Sequence, residues 1–568
     1  MRNMLLILSI ISVFMLTSCV FKTEEEYELV GCGHGLNDDS CTICGFQPYY
    51  VCLDFALLEN GKYEVFAAED FSAKHVIIPA EYNSKPVVSV GKFAFVSRSD
   101  LMTVTIPSSV TTISDYAFKR CSSLERVVIS NGVKSIGYST FDECSSLKSI
   151  TIPGSVESIG TCAFVSCSSL EDVIIEKGVK SIGYGAFTNC SRLKSITIPS
   201  SVTSIDGYAF SSCSSLESIT IPSSVKFIGE KAFYNCGGLQ NIKVDVDNKC
   251  YDSRNDCNAI IESSTNTLIV GCNSTKIPDD IASILEYAFY NCSGLKNAII
   301  PVGVTSIEKF TFFGCSNLEN VIIPVGVTSI YDNAFFECSS LEDILIPDGV
   351  TNIGEYAFYG CSNLKTITIP ESVTSIGSNF FSGCSSLKGI IIPNGVTTLG
   401  SEVFSGCSSL ENVIIPNSVK SIGNGIFNDC SSLRSVIIPE GVTNIGEYAF
   451  SGCSSLVDVM IPSSVTSIGY KAFFGCSNLK EIIIPNNVKS IGDYSFDGCS
   501  KLESITIPSN VTSIGYSSFG RCENLETLFN DSDIKLLKNE QHFKIPEITK
   551  IYNKGEWSYV DGIPTPNK

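Results

Sequence analysis

Residues 341–363 read LEDILIPDGVTNIGEYAFYGCSN, and the order of apolar, polar and turn-forming residues in this stretch decides the fold. Ile344 and Ile346 face one side of a short extended segment and Leu345 the other, which is the period of two of a β-strand. Pro347 ends that strand, because it has no N–H to donate to a neighbour. Val350 and Ile353 mark a second short extended segment, and Gly354 permits a turn after it. Ala357, Phe358 and Cys361 follow at near-helical spacing, which predicts one tight helical or 3₁₀ turn. A unit this small cannot bury its own apolar side, so it must stack on others of its kind.

Those others are present. Cys121, Cys144, Cys167, Cys190, Cys213 and Cys236 fall 23 residues apart, as do the eleven cysteines from Cys292 to Cys522. A Phe stands three residues before each of these seventeen, and a Leu three residues after. One further turn precedes them, with Phe95 and Leu101 in register and Arg98 in the place of the cysteine. The array therefore has eighteen turns, seven before an interruption and eleven after it. Among the departures, Ser130 and Glu176 replace the proline, and Leu285, Glu308 and Tyr331 replace the glycine, so the turns near the interruption are expected to be locally altered.

This pattern resembles the 23-residue, cysteine-containing class of leucine-rich repeats found in BspA-like surface proteins of host-associated bacteria, over roughly residues 70–529. The resemblance implies a leucine-rich-repeat right-handed solenoid, mainly parallel β, with one short helical or 3₁₀ turn per repeat. It also implies attachment to host matrix proteins, host cells or other microbes.

At the start of the chain, Arg2 precedes an apolar run from Met4 to Leu16 and then Leu16-Thr17-Ser18-Cys19. The run is shorter than the ~20 residues a bilayer-spanning helix needs, and it has the layout of an export signal. Its end resembles the lipobox of bacterial lipoproteins, which implies cleavage before Cys19, lipid on its sulfur, and anchorage to the membrane at the bacterial cell surface. An ordinary secretory signal with an unrelated cysteine is the alternative. The chain so divides into a signal (1–18), a tether and Cys-rich segment (19–60), a first solenoid block (61–239), an insertion (240–276), a second block (277–529) and a C-terminal cap (530–568). The insertion holds two apolar stretches, 258–261 and 268–271, around the polar ESSTNT, and is expected to project from the solenoid edge as a β-hairpin. Counting outward from its centre sets Cys257 opposite Cys272, which suits a disulfide.

Little in the chain suggests catalysis. His34, His75 and His542 are its only histidines, and none lies in the seventeen regular turns. Serines such as Ser122 and Ser123 recur at one place in most turns and read as turn residues. Cys32, His34, Cys41 and Cys44 have residue types that fit a structural zinc ion, and an exported chain could equally form disulfides there, with Cys52. Asp245, Asp247, Asp252 and Asp256 invite a calcium reading, but Lys249 and Cys250 break the loop, and a solvated edge is the simpler reading. The repeat cysteines, stacked in parallel, read as small buried hydrophobes. A net charge of −20 disfavours nucleic acid as a partner.

A binding role therefore leads, and the strand position between the two inward residues is where to look for it. In the second block this position is Ile299, Ile322, Leu345, Thr368, Ile391, Ile414, Ile437, Met460, Ile483, Thr506 and Phe529, nine of eleven apolar. In the first block it is Val128, Thr151, Ile174, Thr197, Thr220 and Lys243, two of six apolar, so the repeat itself does not demand hydrophobes there. The stretch from Ile391 to Ile483 is the candidate face for host or microbial surface proteins or matrix. β-Branched residues also suit any strand, and a purely structural column is the competing reading. A carbohydrate- or nutrient-capturing lipoprotein is the alternative function, and would need aromatic side chains exposed along one face. Glu125, Lys148, Glu171 and Lys194 beside the column look like stacked ion pairs of small individual worth.

Overall fold

The computed structural model describes residues 52–537, 545–560 and 563–567. Cys19 and the Cys32, His34, Cys41, Cys44 cluster lie outside them, as do His34's fellow histidine His542 and the apolar run at Met4–Leu16. The chain forms two units, meeting in sequence at Tyr251 and Asp252, and each is a parallel β-solenoid.

Within each unit the 23-residue spacing becomes strand register. Asp343–Leu345 pairs in parallel with Thr366–Thr368, Ile344 opposite Ile367, and the second segments Ser329–Ile330 and Asn352–Ile353 pair likewise, Ile330 opposite Ile353. Ile344 and Ile346 are buried and Leu345 is exposed, as the alternation requires. The proline acts as expected, and the two turns without it show why. Ser130 and Glu176 each have an N–H, and each donates it to the preceding turn, to Ile106 O at 3.1 Å and Ile152 O at 3.0 Å. The glycine substitutions change less than expected: Tyr331 N–H donates to Ile307 O at 2.9 Å, the same bond that Gly354 makes to Ile330 O at 2.8 Å. Gly354 has a negative φ, and its role is close approach, since a Cβ there would come within 2.4 Å of Asp332 N.

The expected helical turn is not formed. Along the third side the amides alternate in direction: Tyr356, Phe358 and Gly360 donate to Ser378 O, Phe380 O and Ser382 O of the next turn (3.0, 3.1 and 2.7 Å). Between them, Tyr359 and Cys361 donate back three residues, to Tyr356 O and Phe358 O. Tyr356 and Gly360 sit at positive φ (57° and 70°), so this side is a chain of tight turns in which every second bond links neighbours. On this side too the turns are one direct hydrogen bond apart, closer than helices about 10 Å wide can pack, so near-helical residue spacing was misleading. Among the described residues helical geometry is confined to Cys52 and the 3₁₀ turn Arg254–Asp256.

The core is a set of columns. Phe rings stack with centroids 5.2 Å apart and planes 2° apart at Phe118–Phe141, and 5.9 Å and 1° at Phe496–Phe519. The cysteine column does more than fill space. Cys361 Sγ donates to Phe335 O of the preceding turn at 3.2 Å, and the same bond recurs from Cys121 onto Phe95 O to Cys522 onto Phe496 O. Each thiol thus adds a donor to a buried carbonyl with little polar surface of its own. Burial pushes the Cys361 thiol up to about 12, so it stays protonated and able to donate. Where Arg98 takes the cysteine's place, its guanidinium donates to Ala68 O at 2.9 Å.

The interruption is not a projecting hairpin. Asn241–Val244 continues the first unit's sheet, and Asn248 closes that unit with its amide on Pro222 O (2.9 Å) and Val225 O (3.1 Å). The second unit then opens with the hairpin Ile260–Glu262/Thr267–Val270, whose second strand pairs in parallel with Ser283–Ile284. Ile260, Ile261 and Leu268 are fully buried, so the hairpin is a packed layer of the stack and not an excursion from it. The first unit opens the same way: Leu53–Leu57 and Tyr63–Ala67 form an antiparallel hairpin, and the latter pairs in parallel with Lys85–Val90. No bridge joins Cys257 to Cys272. A bulge explains it: Ile261 faces Leu268 but Ile260 faces Val270, which shifts the register by one and takes Cys272 out of line with Cys257. Cys272 Sγ donates instead to Asn258 O at 3.3 Å. At the far end of the second unit Lys550–Tyr552 stacks on Thr527–Asn530, and buried Trp557 packs on Phe529 with its Nε1–H on Asn530 O at 3.2 Å.

Two outcomes follow from the columns. Phe358→Ala removes a fully buried ring and is expected to cost about 3–5 kcal/mol in denaturant unfolding; a loss under ~1 kcal/mol would remove Phe358 from the core. The thiols whose protonation is favoured by burial lend stability that is complete below the ordinary thiol range and is lost as pH rises through it toward about 12. Native thiol labelling near pH 8 is therefore expected to modify the partly exposed Cys162 and Cys250 but spare Cys292 to Cys522 until denaturant is added.

Candidate binding face

The outward column of the second unit is held by strands whose inward neighbours anchor them on both sides. Val413 and Ile415, for example, are buried while Ile414 between them points out. Ile414, Ile437, Met460 and Ile483 are 62, 69, 63 and 82% exposed, and Ile299, Ile322, Leu345 and Ile391 are exposed as well. Ile391 lies in register with Ile414, and Ile437 with Met460, so the side chains stand about 4.8 Å apart along the sheet. Val457, three residues before Met460, is exposed as well. Together these make a patch on the order of several hundred Å², larger than scattered surface hydrophobes account for.

Thr368 divides the column into two patches. Beside the shorter one, Val302 and Val325 are 81 and 88% exposed, at a position where later turns carry Asp348, Glu371, Asn394 and Asn417. Sequence reading missed these two valines, although the paired PVGV segments at 301–304 and 324–327 distinguish them. Phe529 does not belong to the face: Tyr552 and Trp557 cover it, and it is buried. In the first unit Val128 and Ile174 are exposed, but Thr151, Thr197, Thr220 and Lys243 separate or follow them.

Residues 64–194, 181–268, 260–388, 351–480 and 420–549 match the BspA type leucine rich repeat region. The chain belongs to that family. Among solved structures this BspA-type chain is similar to a leucine-rich repeat protein from Bacteroides ovatus (26% identity, 88% of this chain and 98% of that one, TM-score 0.33). It is similar also to a leucine rich cell surface protein from Faecalibacterium prausnitzii (26%, 72% and 92%, TM-score 0.39). A leucine-rich repeat protein from Eubacterium ventriosum gives 24%, 71% and 92%, with a TM-score of 0.46. Among curated proteins, none matches it in sequence.

Other chemistry-bearing residues of the BspA-type array are occupied structurally. Asp252, once a calcium candidate, takes a two-pronged bond from Arg254 (2.8 and 2.6 Å) and one from Ser263 Oγ (2.7 Å). Burial opposes its charge, but these bonds outweigh burial and hold its carboxyl below the usual range. Arg254 reaches on to Asp280 at 2.6 Å and Asn266 at 3.0 Å, tying the opening hairpin of the second unit to the loop after it. His75 Nδ1 lies 3.0 Å from Thr103 Oγ1. The recurrent serines bond the preceding turn, as Ser385 Oγ does to Ser362 O at 3.2 Å. Among the described residues no group of His, Cys, Asp or Glu is arranged to hold a metal ion. The column ion pairs are present in part: Lys148 meets Glu125 at 3.1 Å, while Glu171 is met by Arg192 at 3.7 Å.

Proposed function

We propose that this chain is a surface adhesin or protein-binding scaffold, anchored by lipid at Cys19 and engaging host or microbial surface proteins through the column from Ile391 to Ile483. The observation that carries this reading is the exposure of five large apolar residues in consecutive turns along one face of a solenoid whose fold does not require them. The equivalent positions of the first unit tolerate Thr and Lys, so burial between turns is not what selects them. Membership of a family of repeat solenoids supports a scaffold over an enzyme.

Carbohydrate capture has less support. Aromatic rings do line the turn side of the second unit, where Tyr290, Phe313, Phe336 and Tyr359 stack in sequence at 4.6, 4.5 and 4.6 Å. Their planes lie within 8° of parallel. Each inner ring has both π-faces occupied by its neighbours, and only edges remain for a sugar that needs a face.

Changing Ile414, Ile437 and Met460 together to Thr keeps strand propensity and removes apolar surface. Circular dichroism and unfolding are expected to be unchanged, while binding to immobilised host matrix proteins drops at least tenfold. Undiminished binding by a folded variant would eliminate this face, and collapse of the fold would make the column structural. For the anchor, Cys19→Ala is expected to abolish incorporation of labelled palmitate and release the chain from the membrane fraction; persistent label would refute the lipid anchor.

A further inference from the structure

On the same face of the second unit as the apolar column runs a second exposed column, at the position three residues earlier, just before the strand begins, and charged in every turn but one. From the fourth turn of the unit it reads Lys365, Lys388, Glu411, Arg434, Val457, Lys480, Glu503 and Glu526, all exposed. Lys365 has an in-chain partner in Glu342 at 2.7 Å, whereas Lys388, Glu411, Lys480, Glu503 and Glu526 make no ion pair among the described residues. The order of signs is not a simple alternation, and it has a centre. About the point midway between Arg434 and Val457, every charge but Arg434, which faces Val457, is mirrored by its opposite: Glu411 by Lys480, Lys388 by Glu503 and Lys365 by Glu526. The same point lies within the apolar stretch of the central column, mirroring Ile437 onto Met460, Ile414 onto Ile483 and Ile391 onto Thr506.

Two identical sheets laid face to face about a two-fold axis parallel to their strands bring each column onto itself, running the opposite way. We infer that the partner of this face is a second copy of the chain, docked antiparallel with the axis between Ile437 and Met460. This rests on reading the face as a protein-binding surface and names what binds. In that register the four central hydrophobes of each copy close on one another. The three opposite-charge pairs, doubled by symmetry, flank them, and no like charges meet. The third outward column agrees, setting Ser435 against Asp458 and Asn412 against Glu481. Neighbouring registers fail: shifting the axis onto the turn of Arg434 opposes Lys388 to Lys480, and shifting it onto the turn of Val457 opposes Arg434 to Lys480. The first unit also alternates Glu and Lys beside its sheet, but its central column is Thr151, Ile174, Thr197 and Thr220 and lacks the apolar centre. Eight turns at about 4.8 Å, one strand wide, bury on the order of 1,000 Å² in total, which places the contact among weak interfaces. Such a contact is suited to many copies meeting on or between cell surfaces, where avidity adds to it.

The test is sedimentation velocity on the full chain, kept unlipidated by Cys19→Ala. Wild-type sequence is expected to dimerise at concentrations up to about 200 µM, less in 500 mM salt than in 50 mM, as screened ion pairs require. Glu411→Lys and Lys480→Glu each put like charges together twice and are expected to weaken the dimer at least tenfold. An equimolar mixture of these two variants restores both pairs, and so does the double variant in one chain; both are expected to dimerise as wild type does. A chain that stays monomeric, or singles that dimerise unchanged, or a mixture that fails to recover would overturn the second copy as partner. Binding to host matrix proteins, and its loss in the Ile414, Ile437, Met460 variant, is read separately, so the adhesin reading stands or falls without this result.

Discussion

Each turn of this chain must place its backbone one strand spacing from the next, and the hydrogen bonds that hold it there run along three sides. On two sides they are parallel strand ladders, and on the third they are the alternate amides of a chain of tight turns. The same close spacing on all three sides leaves no room for a helix, asks for side chains that tolerate an identical neighbour above and below, and turns sequence position into column position. Phe meets this by parallel stacking, and Cys by donating to a carbonyl of the turn beneath. Even the glycine is explained by it: what matters at Gly354 is the nearness of Asp332 in the preceding turn.

Much of this was legible in the sequence, because a repeat states its period directly. The two strand segments, the inward and outward alternation and the buried Phe column follow from one 23-residue unit and its recurrence. The third side was misread because Ala357, Phe358 and Cys361 have a helix-like spacing, and spacing does not reveal which carbonyl an amide will find. The bulge that separates Cys257 from Cys272 was invisible for a similar reason: counting from the hairpin centre assumes an unbroken ladder, and one extra residue at Ile269 breaks it. The role of residues 240–276 could not be read from its length alone. It contains the close of one unit and the opening of another, and only burial of Ile260, Ile261 and Leu268 distinguishes that from a surface excursion.

The outward face is legible in a different way, since nothing in the fold dictates it. Inward columns barely vary along the array, whereas outward ones change from Thr and Lys in the first unit to Ile and Met in the second. Where packing is indifferent, a consistent choice of residue carries information about something outside the chain. The valines at 302 and 325 fall under the same argument and were missed because they lie beyond the proline, outside the strand. Likewise the aromatic ladder from Tyr290 to Tyr359 looks, in composition, like a sugar platform, and its geometry shows rings already facing one another.

That each unit opens with its own antiparallel hairpin bears on how such a gene can change length. A stack bounded by a hairpin at one end and by a closing segment at the other can lose or gain a 23-residue turn between them, and each remaining turn still finds an equivalent neighbour. Near-identical repeats invite such in-frame recombination. Core columns are indifferent to it, because every turn offers the same Phe, Cys and Leu. The outward charge column is not: deleting one turn between Lys388 and Glu503 shifts every sign beyond it by one place. Turn number is thus free as far as folding is concerned and fixed wherever the surface pattern is read.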